Sequence, residues 1–220
     1  MNYRDVMSEL KACGTAQNRK VYARHGVGGK MFGVSYANMG KIRKAIKVDH
    51  DLALKLWASG NHDARVLATM IADPEGMDGK TLDSWAGDLD NYVLTDALSG
   101  LITRSPKLHR KAEKWTTAKK EMRASVGWHL ISHLALRDEE LADDYFESHL
   151  EVIEKKIHGA PNRARHSMNG ALISIGLRNG RLEKKAVAAA KRIGKVEVDH
   201  GETGCKTPDA IAYIEKAKAS

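Results

Sequence analysis

The sequence predicts an all-α protein built from stacked helix pairs, an α-solenoid, and three observations carry that prediction. Apolar residues recur at three- and four-residue spacing along most of the 220 residues, enough for about a dozen helices. No stretch alternates apolar and polar residues convincingly; Lys195–Val198 is the only β-like scrap. Three segments also resemble one another: HDARVLATMIAD from His62, EMRASVGWHLISHLAL from Glu121 and RARHSMNGALISIGLRN from Arg163. Each starts with an arginine (Arg65, Arg123, Arg165) and continues as an apolar helix rich in small residues, which pack closely against neighbours. A plain helical bundle fits the same pattern.

Val6, Met7, Leu10 and Cys13 define a first helix from Asn2, with Gly14 placed to stop it. A second runs from Thr15 to His25. The three glycines of VGGKMFGVS break regular structure, after which Ser35 caps a helix carrying Met39, Ile42, Ile46 and Val48. Helices follow over Asp49–Ser59 and Asn61–Ala72, separated by Gly60. Pro74, Gly76 and Gly79 form a loop. Pro106 then opens a helix through Trp115, followed by Glu121–Leu136, Asp138–His158, Asn162–Arg178, Leu182–Ile193 and a last one after Pro208.

Between that loop and Pro106 lies TLDSWAGDLDNYVLTDALSGLITRSP, which sets a tryptophan and several carboxylates at one junction. Val93, Leu94, Ala97, Leu98, Leu101 and Ile102 mark an amphipathic helix whose N-cap is Asp90 or Asn91. A capping carboxylate turns back onto its own first-turn amides. Otherwise one of Asp88, Asp90 or Asp96 is free to point into a positively charged groove.

Composition narrows the function classes. The chain carries 36 Lys and Arg against 28 Asp and Glu, a formal +8, which favours a polyanionic partner such as nucleic acid. Two distant cysteines, Cys13 and Cys205, and a start without a charged-then-apolar leader make a reducing cytoplasm the expectation. No apolar run approaches a membrane span. Charge is segregated: Asp138–Glu154 holds eight acids and no Lys or Arg, whereas Lys155–Lys195 holds eleven Lys or Arg and one acid, Glu183. Such runs are either solvated faces or, where Arg65, Arg123 and Arg165 line the inner surface of a solenoid, a stripe that binds phosphates.

Other chemistries find little support. Asp199, His200, Glu202 and Cys205 match no standard zinc spacing and read as a tight loop before a helix capped by Thr207. GVGG from Gly26 follows no strand and lacks a phosphate-binding fingerprint. No Ser-His-Asp or Cys-His set can be read from spacing, and Trp57 and Trp115 fit packing positions.

The run SWAGDLDNYV from Ser84, followed by LSGLITRSPKLHRKAEKWTTAKKEMRASVGWHLI, resembles the AlkD-type DNA alkylation repair family. The similarity keeps order and spacing over roughly Val34 to Ile193. It implies a HEAT-like repeat solenoid with a concave basic face, a single domain over residues 1–220, and a monomer acting on duplex DNA without a cofactor. Active members carry Ser-Trp-Trp, three residues and an essential Asp; here the run is Ser84, Trp85, Ala86, Gly87, Asp88, Leu89, Asp90, so Asp90 matches the catalytic aspartate. Arg123 matches the family's DNA-contacting arginine. Ala86 and Ala171 stand where active members have tryptophans that cradle the lesion's sugar, with Trp85 and Trp128 as possible replacements.

The resemblance implies a DNA glycosylase that hydrolyses the N-glycosidic bond of cationic 3- or 7-alkylpurines. Asp90 would stabilise positive charge developing on the sugar and orient a water, while Arg65, Arg123 and Arg165 hold phosphates and Trp85 meets the lesion. Because the leaving base already carries its charge, one carboxylate suffices. The alternative is a non-catalytic DNA-binding solenoid that recognises damaged or unusual DNA, and a third possibility is a protein scaffold.

Overall fold

The computed structural model describes residues 1–218 and contains thirteen α-helices, with no strand among the described residues. Packing divides the chain into two units: Met1–Lys107 with Gly201–Thr203, and Leu108–His200 with the chain from Gly204 onward.

The first unit holds α1 (Tyr3–Cys13), α2 (Ala16–Arg24), α3 (Tyr36–Ile46), α4 (His50–Ala58), α5 (His62–Ile71), α6 (Gly79–Gly87) and α7 (Tyr92–Ile102). Most entries are locally coded. Asn2, Thr15, Ser35, Asp49, Asn61 and Asn91 each accept a hydrogen bond from the amide three residues on, satisfying a donor that the first turn leaves free. The core is Leu52, Leu56, Val66, Leu67, Ile71, Leu94, Leu98 and Leu101, all buried.

An anion organises the segment before α3. Asp63 in α5 is fully buried, and its carboxylate accepts from the amides of Phe32 (2.5 Å), Gly33 (3.1 Å) and Val34 (2.8 Å). Gly33 has φ +81° and lies so close to α2 that a Cβ there would stand 2.6 Å from the Thr15 carbonyl oxygen. Only glycine fits both demands. Gly33 O in turn accepts from Thr15 N (3.0 Å), and Gly14 and Val34 form an isolated bridge.

The second unit holds α8 (Leu108–Thr116), α9 (Glu121–Arg137), α10 (Asp143–Lys156), a single 3₁₀ turn (Ile157–Gly159), α11 (Asn162–Arg178), α12 (Gly180–Ile193) and α13 (Ala210–Lys218). Here α9 packs on α8 and α11, α11 on α12 and α13, and α10 on α12. Small residues permit the closest approaches: Gly127 of α9 lies against the backbone of Trp115 and Thr116, and Gly176 of α11 receives Ile214 of α13.

Several element boundaries differ from expectation for local chemical reasons. Gly79 begins α6 rather than lying in a loop, because Asp78 accepts from Lys80 N (2.6 Å) and Thr81 N (3.0 Å) as an N-cap. Val48 lies beyond α3 and is exposed. Pro106 precedes α8, since Ser105 Oγ draws Lys107 N into a turn (3.2 Å). Asp138 does not open α10; its carboxylate accepts from Glu140 N and Leu141 N to make a loop. The last helix is capped by Asp209, not Thr207, whose hydroxyl pairs instead with His200 Nε2 (3.0 Å).

The segregated charges prove to be complementary neighbours. Acids of α10 face the last residue of α11 and the bases of α12: Asp143 meets Arg178 of α11, while Asp144 and Glu147 meet Arg181, Glu147 meets Lys185, and Glu154 takes a bidentate grip from Arg192 at 2.6 and 2.8 Å. Much of the basic block from Lys155 to Lys195 is therefore occupied by the acidic block before it.

Candidate functional site

In the first unit the junction residues gather around two stacked indoles. Trp57 from α4 and Trp85 from α6 stack with centroids 4.1 Å apart and planes 2° from parallel, and both are buried, Trp85 at 4% exposure. Trp57 Nε1 donates to Asp88 Oδ2 (2.9 Å), which satisfies the one polar atom that burial would otherwise strand. Arg65 from α5 completes the layer. Its guanidinium lies 5.3 Å from the Trp57 ring centre, its Nε donates to Trp57 O (3.2 Å), and its Nη2 sits 3.8 Å from Asp88 Oδ2.

Two residues expected at the DNA interface thus belong to this layer. Trp85 does not face a groove, because Trp57 covers its face and the core encloses the rest. Arg65 is held by Trp57 and Asp88 and ties α5 to the end of α6.

Asp90 stands apart from this layer. Asn91, not Asp90, caps α7: its Oδ1 accepts from Leu94 N (2.9 Å) while its Nδ2 donates to Asp90 Oδ1 (2.6 Å). One amide thus fixes the helix entrance and orients the carboxylate, leaving Asp90 exposed. Asp96 is exposed on α7 beside Tyr36, whose hydroxyl it helps push above the usual range after burial, the larger cause.

Three residues that the sequence did not single out lie in this unit, and one of them, His62, is close enough to Asp90 to feel its charge. His62, the first residue of α5, is 4% exposed, meets Tyr22 edge-on at 5.5 Å, and has no hydrogen-bond partner at either ring nitrogen among the described residues. Burial lowers its pKa, outweighing the opposing pull of Asp63 and Asp90. His25 Nδ1 is hydrogen-bonded to the hydroxyl of Tyr92, the first residue of α7. Tyr22 donates to Val34 O (2.5 Å), and burial, then Asp63, raises its hydroxyl to about 12. No local sequence signal identifies this set, since it is assembled from α2, α5 and α7.

In the second unit the helix starts carry a polar seam. Glu121 Oε1 accepts from Arg163 N (2.6 Å), joining the first turns of α9 and α11. Ser125 and Ser167 hydroxyls pair at 2.6 Å, and Ser167 also meets His129 Nε2 at 2.9 Å. Burial, with His166 and Arg163 nearby, depresses His129 to about 4; burial with Arg163 and His200 does the same for His166. Both imidazoles are neutral at physiological pH.

Arg123 lies half-buried in the first turn of α9. Arg165 donates to Glu197 O (2.9 Å), His158 O (3.1 Å) and Ala160 O (2.9 Å), clamping the segment after α12 to the start of α11. Asn162 extends the clamp by donating to Asp199 O (2.7 Å) and accepting from Asp199 N (2.8 Å). Trp128 is 2% exposed in the core, with its edge toward His149, so it offers no free surface. Ala86 and Ala171 are at most 1% exposed.

Chemically, Asp90 provides an exposed carboxylate of fixed orientation that could stabilise a cation or hold a water, with no open indole beside it. No set of three His, Cys, Asp or Glu side chains is arranged to hold a metal among the described residues. No helix among them is long and apolar enough to cross a membrane.

Comparison with known proteins places this geometry. A family model described as DNA alkylation repair enzyme matches residues 6–214. An uncharacterized protein of Listeria innocua is 30% identical over 218 residues, covering 96% of this chain and 95% of its own length. One of Listeria monocytogenes is 31% identical over 218 residues with the same coverage. A solved structure superposes with a TM-score of 0.91 at 31% identity, covering 100% of this chain and 94% of its own. It represents a new family of proteins related to the HEAT-like repeat DNA glycosylases with affinity for branched DNA structures. The all-α architecture is thus of the HEAT-like repeat class.

Proposed function

The chain belongs to the DNA alkylation repair enzyme family, and from that premise we propose that it recognises DNA by shape. It binds branched DNA in preference to linear duplex, as a cytoplasmic monomer without a cofactor. The observation that supports this most is burial: Trp85 and Trp128 are enclosed, and Ala86 and Ala171 are buried alanines where the resemblance expects a tryptophan cradle. A base-excision site needs the sugar held in place, and small misplacements lower rates about 100-fold. The structural neighbour's affinity for branched DNA supports the choice of partner.

A second reading, a slow glycosylase acting on cationic 3- or 7-alkylpurines, is favoured by Asp90. This carboxylate is exposed, spared from capping and oriented by Asn91. Arg123 on a phosphate belongs to both readings.

Two assays on one preparation decide between them. A four-way junction and a linear duplex of the same composition compete for the protein, and methylated duplex is assayed for released purine with the natural protein and Asp90→Asn. Tighter junction binding without release above the spontaneous rate is the expected result. Release that disappears in Asp90→Asn establishes the glycosylase instead. Equal affinity for junction and duplex refutes recognition by shape.

A further inference from the structure

The cations opposite α10 are engaged, but another group of cations is not. From Leu10 to Val48 the sequence contains nine Lys or Arg and not one Asp or Glu. Lys20 and Arg24 of α2, Lys30, Lys41, Arg43 and Lys44 of α3, and Lys47 are exposed, and none forms an ion pair among the described residues.

Their arrangement is that of a surface rather than a scatter. Met39 and Ile42 bury one side of α3, and at 100° per residue Arg43, Tyr36, Gly40, Lys44, Ala37 and Lys41 occupy an arc of about 160° on the other. Tyr36 is 49% exposed. A Cβ at Gly40 would meet nothing within 4 Å, so the centre of this face is open to close approach. A further cation lies beside this face: burial, and then Arg43, lowers the pKa of the Arg104 guanidinium. Asp96, beside Tyr36, is the carboxylate that reaches the edge of the patch.

The two basic helices also converge. Tyr22 of α2 lies close enough to Tyr36 of α3 for their hydroxyls to affect each other, and α2 and α3 reach Tyr92 and Asp96, one turn apart on α7. A separate observation singles out Lys47. It is the one non-glycine residue with positive φ among the described residues, at φ 66° and ψ −126°. Glycine would sit there without strain, so the charged side chain stands at this position against the backbone's preference.

We infer that the outer face of α3, with Lys47 and with Lys20 and Arg24 of α2, is the surface of the first unit that contacts DNA phosphates. This deepens the DNA-binding reading above and rests on it. The chemistry is charge neutralisation, with Tyr36 supplying a flat amphipathic surface among the cations. Such contacts bind backbone of any sequence, as recognition by shape requires.

The test uses the whole protein and a labelled four-way junction, with affinity measured by anisotropy from about 50 to about 200 mM salt. The triple variant Lys41→Gln, Arg43→Gln, Lys44→Gln is compared with Lys156→Gln, Lys184→Gln, Lys191→Gln, exposed lysines of the second unit that lose the same charge. Each lost phosphate contact lowers the slope of log affinity against log salt by about 0.9, so the first variant should lose about 2.7 and bind more than tenfold more weakly at low salt. The second should stay within about twofold of the natural protein. If both variants weaken alike, or the first binds as tightly as the natural protein, this surface is not the contact although DNA binding stands. If the natural protein shows no salt-dependent binding, the DNA-binding reading falls and this inference with it.

Discussion

Replacing Gly127 and Gly170 by alanine should move stability in opposite directions. Both lie in helices of the second unit, and both substitutions gain about 1 kcal/mol of helix propensity in an otherwise indifferent setting. At Gly170 of α11 the new Cβ meets nothing within 4 Å, so that gain is realised. At Gly127 of α9 the Cβ would stand 2.5 Å from the Trp115 carbonyl carbon and 3.0 Å from Thr116 Cα, with Thr116 N also inside contact distance. Carbon atoms pack at about 3.5–4.0 Å, so α8 and α9 must separate by about 1 Å. The obstructing atoms are backbone and have no rotamer to adopt.

Overpacking of this kind costs about 3 kcal/mol, which exceeds the propensity gain and leaves a net loss of about 2 kcal/mol. At about 2–4 °C per kcal/mol, Gly127→Ala should melt roughly 4–8 °C lower than the natural protein and Gly170→Ala about 2–4 °C higher. Thermal unfolding followed by circular dichroism measures both. A Gly127→Ala protein as stable as the natural one would refute the argument that close α8–α9 approach requires glycine.

Other perturbations follow from named contacts. Asp63→Asn replaces a carboxylate oxygen that accepts backbone amides with an NH₂ group that cannot, and should cost about 2–3 kcal/mol in urea unfolding; an unchanged midpoint would contradict the anchoring role. Lys47→Gly relieves a strained φ of 66° and should gain about 1 kcal/mol after the entropy of glycine is set against it, read as a melting point about 3 °C higher. A lower melting point would mean that Lys47 is not strained. His129 titrates near 4 when folded against an ordinary 6.5, so the unfolded chain binds more protons between those values. Stability should therefore fall as pH drops from about 6.5 to about 4 and level off below; His129→Gln should flatten that slope, which an unchanged pH profile would disprove.

What was legible in the sequence was chiefly what neighbours in the chain decide. Ser35 and Asn91 could be read as caps because capping chemistry spans three residues, and the apolar spacing of α5, α9 and α11 identified their helices. Asp78 shows the limit of such reading: Gly79 looked like a breaker until the preceding carboxylate took two amides of the next turn. The site was less legible. Trp85 and Asp90 are five residues apart, yet one lies under Trp57 and the other in solvent, and only the arrival of α4 separates their fates. Arg165 and the basic block around it looked available because carbonyls of the 3₁₀ turn and acids of α10 reach them only in three dimensions. The acid-free stretch from Leu10 to Val48, by contrast, is countable in the sequence itself.

Helix α2 buries none of its nine residues. It hangs by hydrogen bonds on the short segment Phe32–Val34, through Thr15 N, Arg19 Nη1 and Tyr22 Oη, with His25 fastening its far end to Tyr92. An element so attached opens with a free energy far below that of the core around α5, so its amides should exchange with solvent deuterium much faster than those of α3, and as a cooperative group. Lys20 and Arg24 therefore ride on an arm that can swing while Asp63 keeps its base in place. Contact with a polyanion would register first as slowed exchange along that arm.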